Sequence, residues 1–229
     1  MKIIGNEALY KRNIRNGFIA SMGGIFLLIA AVYTLFTSQN YLGRYFLFLF
    51  GGVILMQIGL YYSRWSRRPD WSLNKVLKSL DNSYSIYHHN SPVSHLLLGP
   101  AGLWILMPKF TKGRVRYDKD KQTWRAEGVS LWKRFTRGFA QEGIGRPHLE
   151  AMYEAAALDR YLQKHWEADK PLHVQAAVVF LEEGVEVQAG NAPLPAVQLK
   201  KLKQTVTGGD AKGKLSRQQI DQLTKILAK

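Results

Sequence analysis

Basic and aromatic side chains are interleaved near the middle of the chain, a combination typical of surfaces that bind phosphate groups. Ten Lys and Arg residues lie between positions 109 and 137, against three acidic residues. Their charge can neutralise phosphate, and Trp124, Trp132 and Phe135 offer rings on which bases can stack. The candidate anion-binding residues are Lys109, Lys112, Arg114, Arg116, Lys133, Arg134 and Arg137. This pattern predicts binding to nucleic acid or to anionic lipid, with a solvated basic face as the alternative.

The composition of the whole chain points to the same kinds of partner. Its 229 residues include 32 Lys and Arg against 17 Asp and Glu, for a formal charge of +15. Such an excess favours an anionic partner, which can be nucleic acid, acidic lipid or an acidic protein surface. Solubility together with membrane orientation is the alternative explanation.

Three histidines, His88, His89 and His95, would converge if the strands that carry them pair. Their spacing matches no zinc signature, no nearby acid joins them, and the chain has no cysteine. Histidines whose hydrogen bonds are satisfied within a sheet are therefore the favoured interpretation. The sequence also contains no Gly-rich phosphate loop, Ser-His-Asp arrangement or nucleotide motif. These residues by themselves predict neither a metal ion nor another cofactor.

The basic stretch begins in a hairpin that we expect to organise the soluble part of the chain. Two short apolar runs, His95 to Leu98 and Leu103 to Met107, are joined by Gly99-Pro100-Ala101-Gly102. Gly and Pro mark a tight turn, and runs of this length and apolarity predict two buried strands. A third strand, Arg114 to Tyr117, would follow, with Arg114 and Arg116 on one face.

The remaining soluble elements predict a mixed α/β order. Helices are expected at Trp71 to Leu80, Pro147 to Trp166 and Pro195 to Val206, and after a capping box formed by Ser216 and Gln219. In the long helix, an apolar stripe that includes Met152 and Tyr153 would face inward. Further strands are expected at Ser83 to His89, Gln122 to Glu127, His173 to Leu181 and Val185 to Val187. The last helix is expected to pack on its own domain, with a partner or the membrane as alternatives.

Two apolar segments precede this domain. Gly17 to Phe36 and Tyr45 to Tyr62 run for twenty and eighteen residues without an acidic or basic side chain. At about 1.5 Å per residue, each is long enough to cross the hydrocarbon core as a helix. The absence of charge favours an anchor over a transporter, and Gly23-Gly24 and Gly51-Gly52 would let the helices pack closely. A cleaved signal peptide is the less favoured explanation of the first segment.

Basic residues flank the outer ends of the two segments. Four precede the first segment and Arg64, Arg67 and Arg68 follow the second, whereas the connector holds only Arg44. The positive-inside rule therefore predicts a two-span protein of the cell membrane with both termini in the cytoplasm. We expect a basic lead at 1–16, an anchor at 17–62, a juxtamembrane linker at 63–69, an α/β domain at 70–206, and a Gly/Lys linker with an amphipathic helix at 207–229.

From about residue 69 to residue 206 the chain resembles the nuclease-related domain (NERD) family, which has the restriction-endonuclease-like fold. The resemblance depends on the order and spacing of several short pieces. They are Val76 to Leu80, Tyr84 to His88, Ser94 to Leu103 (SHLLLGPAGL), a strand ending at Lys109, then Gly113, Trp124, Arg146 to Glu150 and Val178 to Phe180. The resemblance implies a mixed sheet flanked by helices.

The same resemblance implies a site with two carboxylates that hold Mg²⁺ and a lysine that offsets phosphate charge. The first acid position holds Ser94 and the second holds Met107, whereas Lys109 keeps the lysine. A further acid on the opening helix would correspond to Asp70, and Glu150 stands where the family usually has Gln. A hydroxyl is a poor ligand for Mg²⁺ and a thioether is a wrong one, so we expect an inactive site without metal.

A displaced acid, Asp118 or Asp120, is the alternative, although both lie at the far end of the third strand. The sequence therefore predicts a membrane-anchored, catalytically inactive nuclease-related domain. It would act as a binding or scaffold module for an anionic ligand or a protein partner at the cytoplasmic face. The alternatives are an active Mg²⁺-dependent nuclease with relocated carboxylates and a structural accessory subunit of a membrane protein complex.

Overall fold

The computed structural model describes residues 1–37, 42–127, 144–166, 172–208 and 213–227. They form two compact units. One unit is the helical segment Glu7–Arg68, and the other joins Met1–Asn6 to the chain from Pro69 onward. The first unit is a pair of long helices, and the second is a mixed α/β domain.

The helical unit consists of α1 (Glu7–Thr37) and α2 (Leu42–Ser63), followed by a 3₁₀ turn at Arg64–Ser66. By length and composition, both helices are long and apolar enough to cross a membrane. The two predicted apolar segments lie within them. The first helix begins ten residues before its apolar segment, so part of the basic lead is helical.

Glycine lets α1 and α2 approach closely. A Cβ atom built at Gly24 would lie 2.8 Å from Met56 Cγ and 2.9 Å from the Met56 backbone nitrogen. Gly17 meets Tyr62 in the same way, which shows that the helices run antiparallel. The predicted role of small residues is therefore confirmed at Gly24 and Gly52, while Gly17 and Gly59 extend the same contact.

The α/β unit is built on a six-stranded sheet. Its strands are β1 (Lys2–Gly5), β2 (Ser85–His88), β3 (His95–Gly99), β4 (Gly102–Lys109), β7 (Val174–Phe180) and β9 (Ala196–Gln198), in the spatial order β1-β2-β3-β4-β7-β9. β2, β3 and β4 are antiparallel neighbours, and the hairpin turn contains Gly102 at a φ of 110° that favours glycine. β7 is parallel to β4, as expected for strands joined through a helix.

Helices cover both faces of this sheet, which explains why its central strands are apolar on both sides. On one face lie α3 (Pro69–Leu77) and α5 (Leu202–Thr207), packed on Leu97, Trp104 and Leu106. On the other face lie α4 (Pro147–Gln163) and α6 (Arg217–Leu227), packed on Leu96, Leu98 and Met107. The predicted packing of the last helix on its own domain is confirmed, and Ser216 and Gln219 form the expected capping box.

A second, smaller sheet contains β5 (Arg114–Asp118), β6 (Thr123–Glu127) and β8 (Glu186–Gln188). The predicted third strand thus exists, but it belongs to this sheet and does not extend the hairpin. Val115, Tyr117 and Trp124 face inward and pack with Val178 and Phe180 of β7. Because Trp124 is only 7% exposed, its predicted role in stacking bases is wrong.

The helix predicted at Pro195 to Val206 is wrong in its first half and confirmed in its second. Ala196–Gln198 is a strand that pairs with β7, and only Leu202–Thr207 is α-helical, after a 3₁₀ turn at Leu199–Lys201. Pairing with a buried strand outweighs local helical propensity here. In α4 the inward residues are Ala151, Leu158 and Leu162, whereas Met152 and Tyr153 are 66% and 76% exposed. Apolar residues occur on two sides of that helix, and the packing selects one.

We expect Gly24→Val to push the two long helices apart, since any Cβ there lies under 3 Å from Met56. Disulfide formation between cysteines introduced at Leu27 and Gly51 measures their proximity, because these positions are adjacent across the helices and the chain has no cysteine. Gly24→Val should slow that reaction. Gly43→Val is the matched control, because a Cβ there meets nothing within 4 Å. Equal rates in the two variants would contradict this packing.

Candidate functional site

Two clusters of polar side chains lie where β3 begins and β4 ends. One, which we call the carboxylate–lysine cluster, contains Ser94, Lys109, Glu150 and Glu154. The other, the histidine cluster, contains His88, His89 and His95 together with Asn74. The first cluster includes α4, and the second includes α3. They therefore lie toward opposite faces of the large sheet.

Strand register sets the geometry of the carboxylate–lysine cluster. In the antiparallel pair of β3 and β4, Leu96 lies opposite Ile105. Continued by two residues, this register places Ser94 opposite Met107. Lys109 follows two residues later, so its side chain lies on the same face as that of Met107. The three positions that the family resemblance singles out on these strands are thus brought together.

Helix α4 supplies one glutamate to Ser94 and another to Lys109. The Ser94 hydroxyl donates a hydrogen bond to Glu154 Oε1 at 2.7 Å, and the Ser94 backbone N–H donates to Oε2 at 3.3 Å. Lys109 Nζ donates to Glu150 Oε2 at 2.7 Å. The Lys109 side chain is 11% exposed and that of Glu150 is 44% exposed. Sequence reasoning missed Glu154, although its spacing of four residues from Glu150 places both on one helix face.

The two glutamates differ in their electrostatic surroundings. Burial raises the pKa of Glu154 above its ordinary value, and the nearby charge of Glu150 raises this pKa further. The hydrogen bonds from Ser94 and the charge of Lys109 act in the opposite direction and are outweighed. The cluster therefore holds a carboxyl group that gains a proton more readily than an exposed glutamate does.

The residues at the two expected acid positions do not fit Mg²⁺. Met107 is 5% exposed, packs in the hydrophobic core beside α4, and offers only a thioether. Ser94 offers a neutral hydroxyl, which is already bonded to Glu154. Mg²⁺ requires oxygen ligands and favours carboxylates. Among the described residues, no three His, Asp or Glu side chains are placed to hold a metal ion.

The other acids considered from the sequence lie elsewhere. Asp70 is buried in the first turn of α3, on the face opposite α4, and its charge acts on His89. Asp118 ends β5 in the small sheet, where its carboxylate lies 3.7 Å from Arg125 Nη2. Asp120 lies in the turn between β5 and β6. None of the three belongs to the carboxylate–lysine cluster.

The predicted anion-binding residues are partly balanced by acids. Arg114 and Arg116 share the exposed face of the small sheet, as the alternation indicated. The basic side chains form exposed ion pairs: Arg114 Nε with Glu186 at 2.9 Å, Lys112 Nζ with Glu182 at 3.4 Å and Arg116 Nη1 with Glu127 at 3.5 Å. Trp132, Lys133, Arg134, Phe135 and Arg137 lie outside the described residues.

The histidine cluster is held by complementary hydrogen bonds. His88 Nε2 lies 2.9 Å from Asn74 Oδ1, and His88 Nδ1 lies 2.8 Å from His95 Nδ1. Because Oδ1 can only accept, His88 donates from Nε2. In a neutral His88 the other nitrogen, Nδ1, then accepts, and His95 donates from its own Nδ1. The expected convergence of the three histidines is confirmed, and both ring nitrogens of His88 have hydrogen-bond partners. Burial, with the neighbouring imidazoles, holds the pKa of His95 well below its ordinary value.

Comparison with known proteins adds no assignment to this geometry. No protein-family model, curated protein or solved structure matches the chain. What the structure defines is a class of architecture, namely two long apolar helices and a mixed α/β domain whose sheet is flanked by helices.

The buried histidine pair should make the fold sensitive to acid. The depressed pKa of His95 means that the unfolded chain, with an ordinary histidine pKa of 6.5, takes up protons that the fold resists. The free energy of unfolding should thus be highest above about pH 6.5 and should decrease as the pH falls below that value. Urea unfolding of the full chain in mild detergent, followed by tryptophan fluorescence, measures this slope.

His95→Asn should flatten that pH profile, because an amide can still donate to His88 and does not titrate. His165→Asn removes an exposed imidazole at the end of α4 and should keep the wild-type slope. A wild-type stability that is constant from about pH 8 to pH 5 would contradict the assignment.

The two glutamates of α4 should respond oppositely to amide substitution at neutral pH. Glu154→Gln should preserve or raise stability, because it removes a charge whose burial is unfavourable while the amide can still bond both Ser94 groups. Below about pH 4.5, where the carboxyl is protonated, that gain should vanish. Glu150→Gln should cost roughly 1 to 2 kcal/mol, because it leaves the largely buried Lys109 ammonium without its partner. The same unfolding assay measures both, and destabilisation of equal size in both would exclude this distinction.

Proposed function

We propose that this chain is a membrane-anchored, nuclease-related domain with a restriction-endonuclease-like fold that has lost metal-dependent catalysis. It acts as a binding or scaffold module at the cytoplasmic face, for an anionic ligand or a protein partner. One observation carries the proposal. Ser94 and Met107 lie opposite each other at the positions expected of metal-binding acids, beside a lysine that is paired internally with Glu150.

The order of elements supports the proposed fold. The resemblance requires an opening helix, a strand, a hairpin ending at a lysine, a long helix and a buried strand. The chain has α3, β2, the β3–β4 hairpin ending at Lys109, α4 and β7, in that order. The fold proposal is also supported by the strand register, because Ser94, Met107 and Lys109 share one sheet face, as the resemblance requires of its three site positions.

Charge compensation inside the cluster supports the loss of catalysis. In a metal-dependent site, the cation neutralises the carboxylates and the lysine is available to phosphate. Here the Lys109 ammonium itself neutralises the Glu150 carboxylate at 2.7 Å. The Ser94 hydroxyl donates a hydrogen bond to the second glutamate, Glu154. Binding a phosphodiester at Lys109 would first require breaking a largely buried ion pair.

The connectivity of the chain supports an anchored domain with both termini on one side of the membrane. Strand β1 precedes α1, yet it pairs with β2, which follows α2. The chain therefore contributes residues to the α/β unit both before and after the helical hairpin. If α1 and α2 each cross the bilayer, both ends return to the same side, and the basic flanks favour the cytoplasm as that side.

Phosphate groups, such as those of nucleic acid, are the anionic ligand that the exposed face of the small sheet favours. Arg114 and Arg116 lie on its exposed face. In each of their ion pairs, the side chain of at least one partner is half or more exposed to solvent. Surface pairs of this kind contribute little free energy, so phosphate groups can replace the carboxylates. Binding through such contacts would weaken steeply as the salt concentration rises.

Two further functions have some support from particular observations. Glu150 and Glu154 stand one helical turn apart beside Lys109, which favours an active nuclease that uses relocated carboxylates. Met152 and Tyr153 are adjacent and exposed on α4, which favours an accessory subunit that docks a protein partner there. Recovery of the chain alone after purification in mild detergent would count against the accessory subunit.

A cleavage assay separates the first two possibilities. We expect the full chain, purified in mild detergent, to leave DNA and RNA intact in the presence of Mg²⁺ or Mn²⁺. The same preparation should bind labelled DNA with an affinity that decreases steeply with salt. Metal-dependent cleavage that disappears in Lys109→Ala and Glu154→Gln, but persists in the exposed control Lys225→Ala, would overturn the inactive assignment. A binding curve that does not respond to salt would exclude nucleic acid as the ligand.

A further inference from the structure

One end of the helical hairpin carries most of its charge. Because Gly17 of α1 lies against Tyr62 of α2, the start of α1 and the end of α2 lie at the same end of the unit. Six basic residues occur there, against the single acid Glu7. They are Lys11, Arg12, Arg15, Arg64, Arg67 and Arg68. At the opposite end, Arg44 is the basic residue among those that the structure describes.

The single acid at this end is engaged by Arg68. Both terminal nitrogens of the Arg68 guanidinium donate to the Glu7 carboxylate, at 2.5 and 3.2 Å. The guanidinium carbon also lies 4.1 Å from the centre of the Tyr10 ring, which packs edge-on against Trp65 at 5.4 Å. These contacts join the first turn of α1 to the end of α2. With six basic residues and one acid, this end of the hairpin carries a formal charge of +5.

The basic residues stand beside aromatic side chains of the kind found at membrane interfaces. Tyr61 is exposed, and the Arg64 guanidinium lies 5.5 Å from its ring centre. Lys11, Arg12 and Arg15 are exposed on α1 within about 6 Å of each other along the helix axis. Tyrosine and tryptophan prefer the headgroup level of a bilayer, so in a membrane this basic end would lie at the depth of lipid phosphates.

We propose that the basic end of the hairpin is a binding site for the headgroups of anionic phospholipids. This inference depends on the membrane residence proposed above, and it places lipid binding on the helical unit. The two helices supply the cations jointly, which gives several headgroups a contact with more than one basic residue. Clusters of four or more Lys and Arg directly beside a membrane helix attract anionic lipid in this way.

Lipid retention by the purified protein tests the proposal. The full chain would be equilibrated in mild detergent with equal amounts of phosphatidylglycerol and phosphatidylcholine, and the lipids that remain bound would be counted by native mass spectrometry. We expect clear enrichment of phosphatidylglycerol. The triple variant Lys11→Gln, Arg12→Gln, Arg15→Gln should reduce that enrichment by roughly tenfold, because three exposed charges are lost. Arg64→Gln with Arg67→Gln should reduce it independently, from the other helix.

The matched control removes three exposed basic residues from the α/β unit that lie outside the basic stretch at 109–137, by Lys200→Gln, Arg217→Gln and Lys225→Gln. It should leave the enrichment unchanged. No preference for phosphatidylglycerol, or an equal loss in the control, would overturn the lipid site. Resistance of the chain to alkaline extraction from membranes is measured separately. A chain that alkali extracts would refute the proposed anchor, whereas one that stays in the membrane without lipid preference would refute only the lipid site.

Discussion

The structure depends on the register between β3 and β4. Leu96 pairs with Ile105 and Leu98 with Leu103, and both strands are buried on both faces. A shift of one residue would turn every side chain of one strand to the opposite face. Ser94 and Lys109 would then no longer lie on the same face of the sheet, the one that α4 covers. The hydrophobic core and the polar cluster are thus fixed by the same pairing.

The polar cluster joins α4 to the ends of two strands through hydrogen bonds. Four side chains from two strand ends and one helix converge, and each of the two glutamates has a hydrogen-bond donor, Lys109 for Glu150 and Ser94 for Glu154. The partners are close enough to satisfy each other without an external cation. Such an arrangement stabilises the junction between α4 and the sheet, because an unpaired buried ammonium would be costly.

The first strand connects the two units more directly than a linker would. Lys2 donates its backbone N–H to Tyr84, and the terminal amine of Met1 donates to the Leu80 carbonyl and to Asn82. The chain then enters α1 and returns to the same unit at Pro69. The helical hairpin is therefore an insertion within the α/β unit in terms of chain connectivity.

Local pattern identified most of the elements. The apolar hairpin, the two long helices, the capping box and the alternating Arg114 and Arg116 all follow from short-range periodicity and turn chemistry. The convergence of His88 and His95 followed from assuming that neighbouring strands pair, and their register confirms it. These features depend on residues close in sequence, where side-chain spacing and backbone geometry are directly linked.

Tertiary structure decided what local pattern could not. It assigned Lys2–Gly5 to the large sheet and Ala196–Gln198 to its opposite edge, since both pair with strands far away in sequence. It buried Trp124 beneath a second sheet and exposed Met152 and Tyr153, because only packing selects which apolar side faces inward. It also brought Glu154 to Ser94 across sixty residues. The sequence determined which side chains were available, and the long-range pairing of strands and helices determined which of them meet, because such contacts leave no periodic signal along the chain.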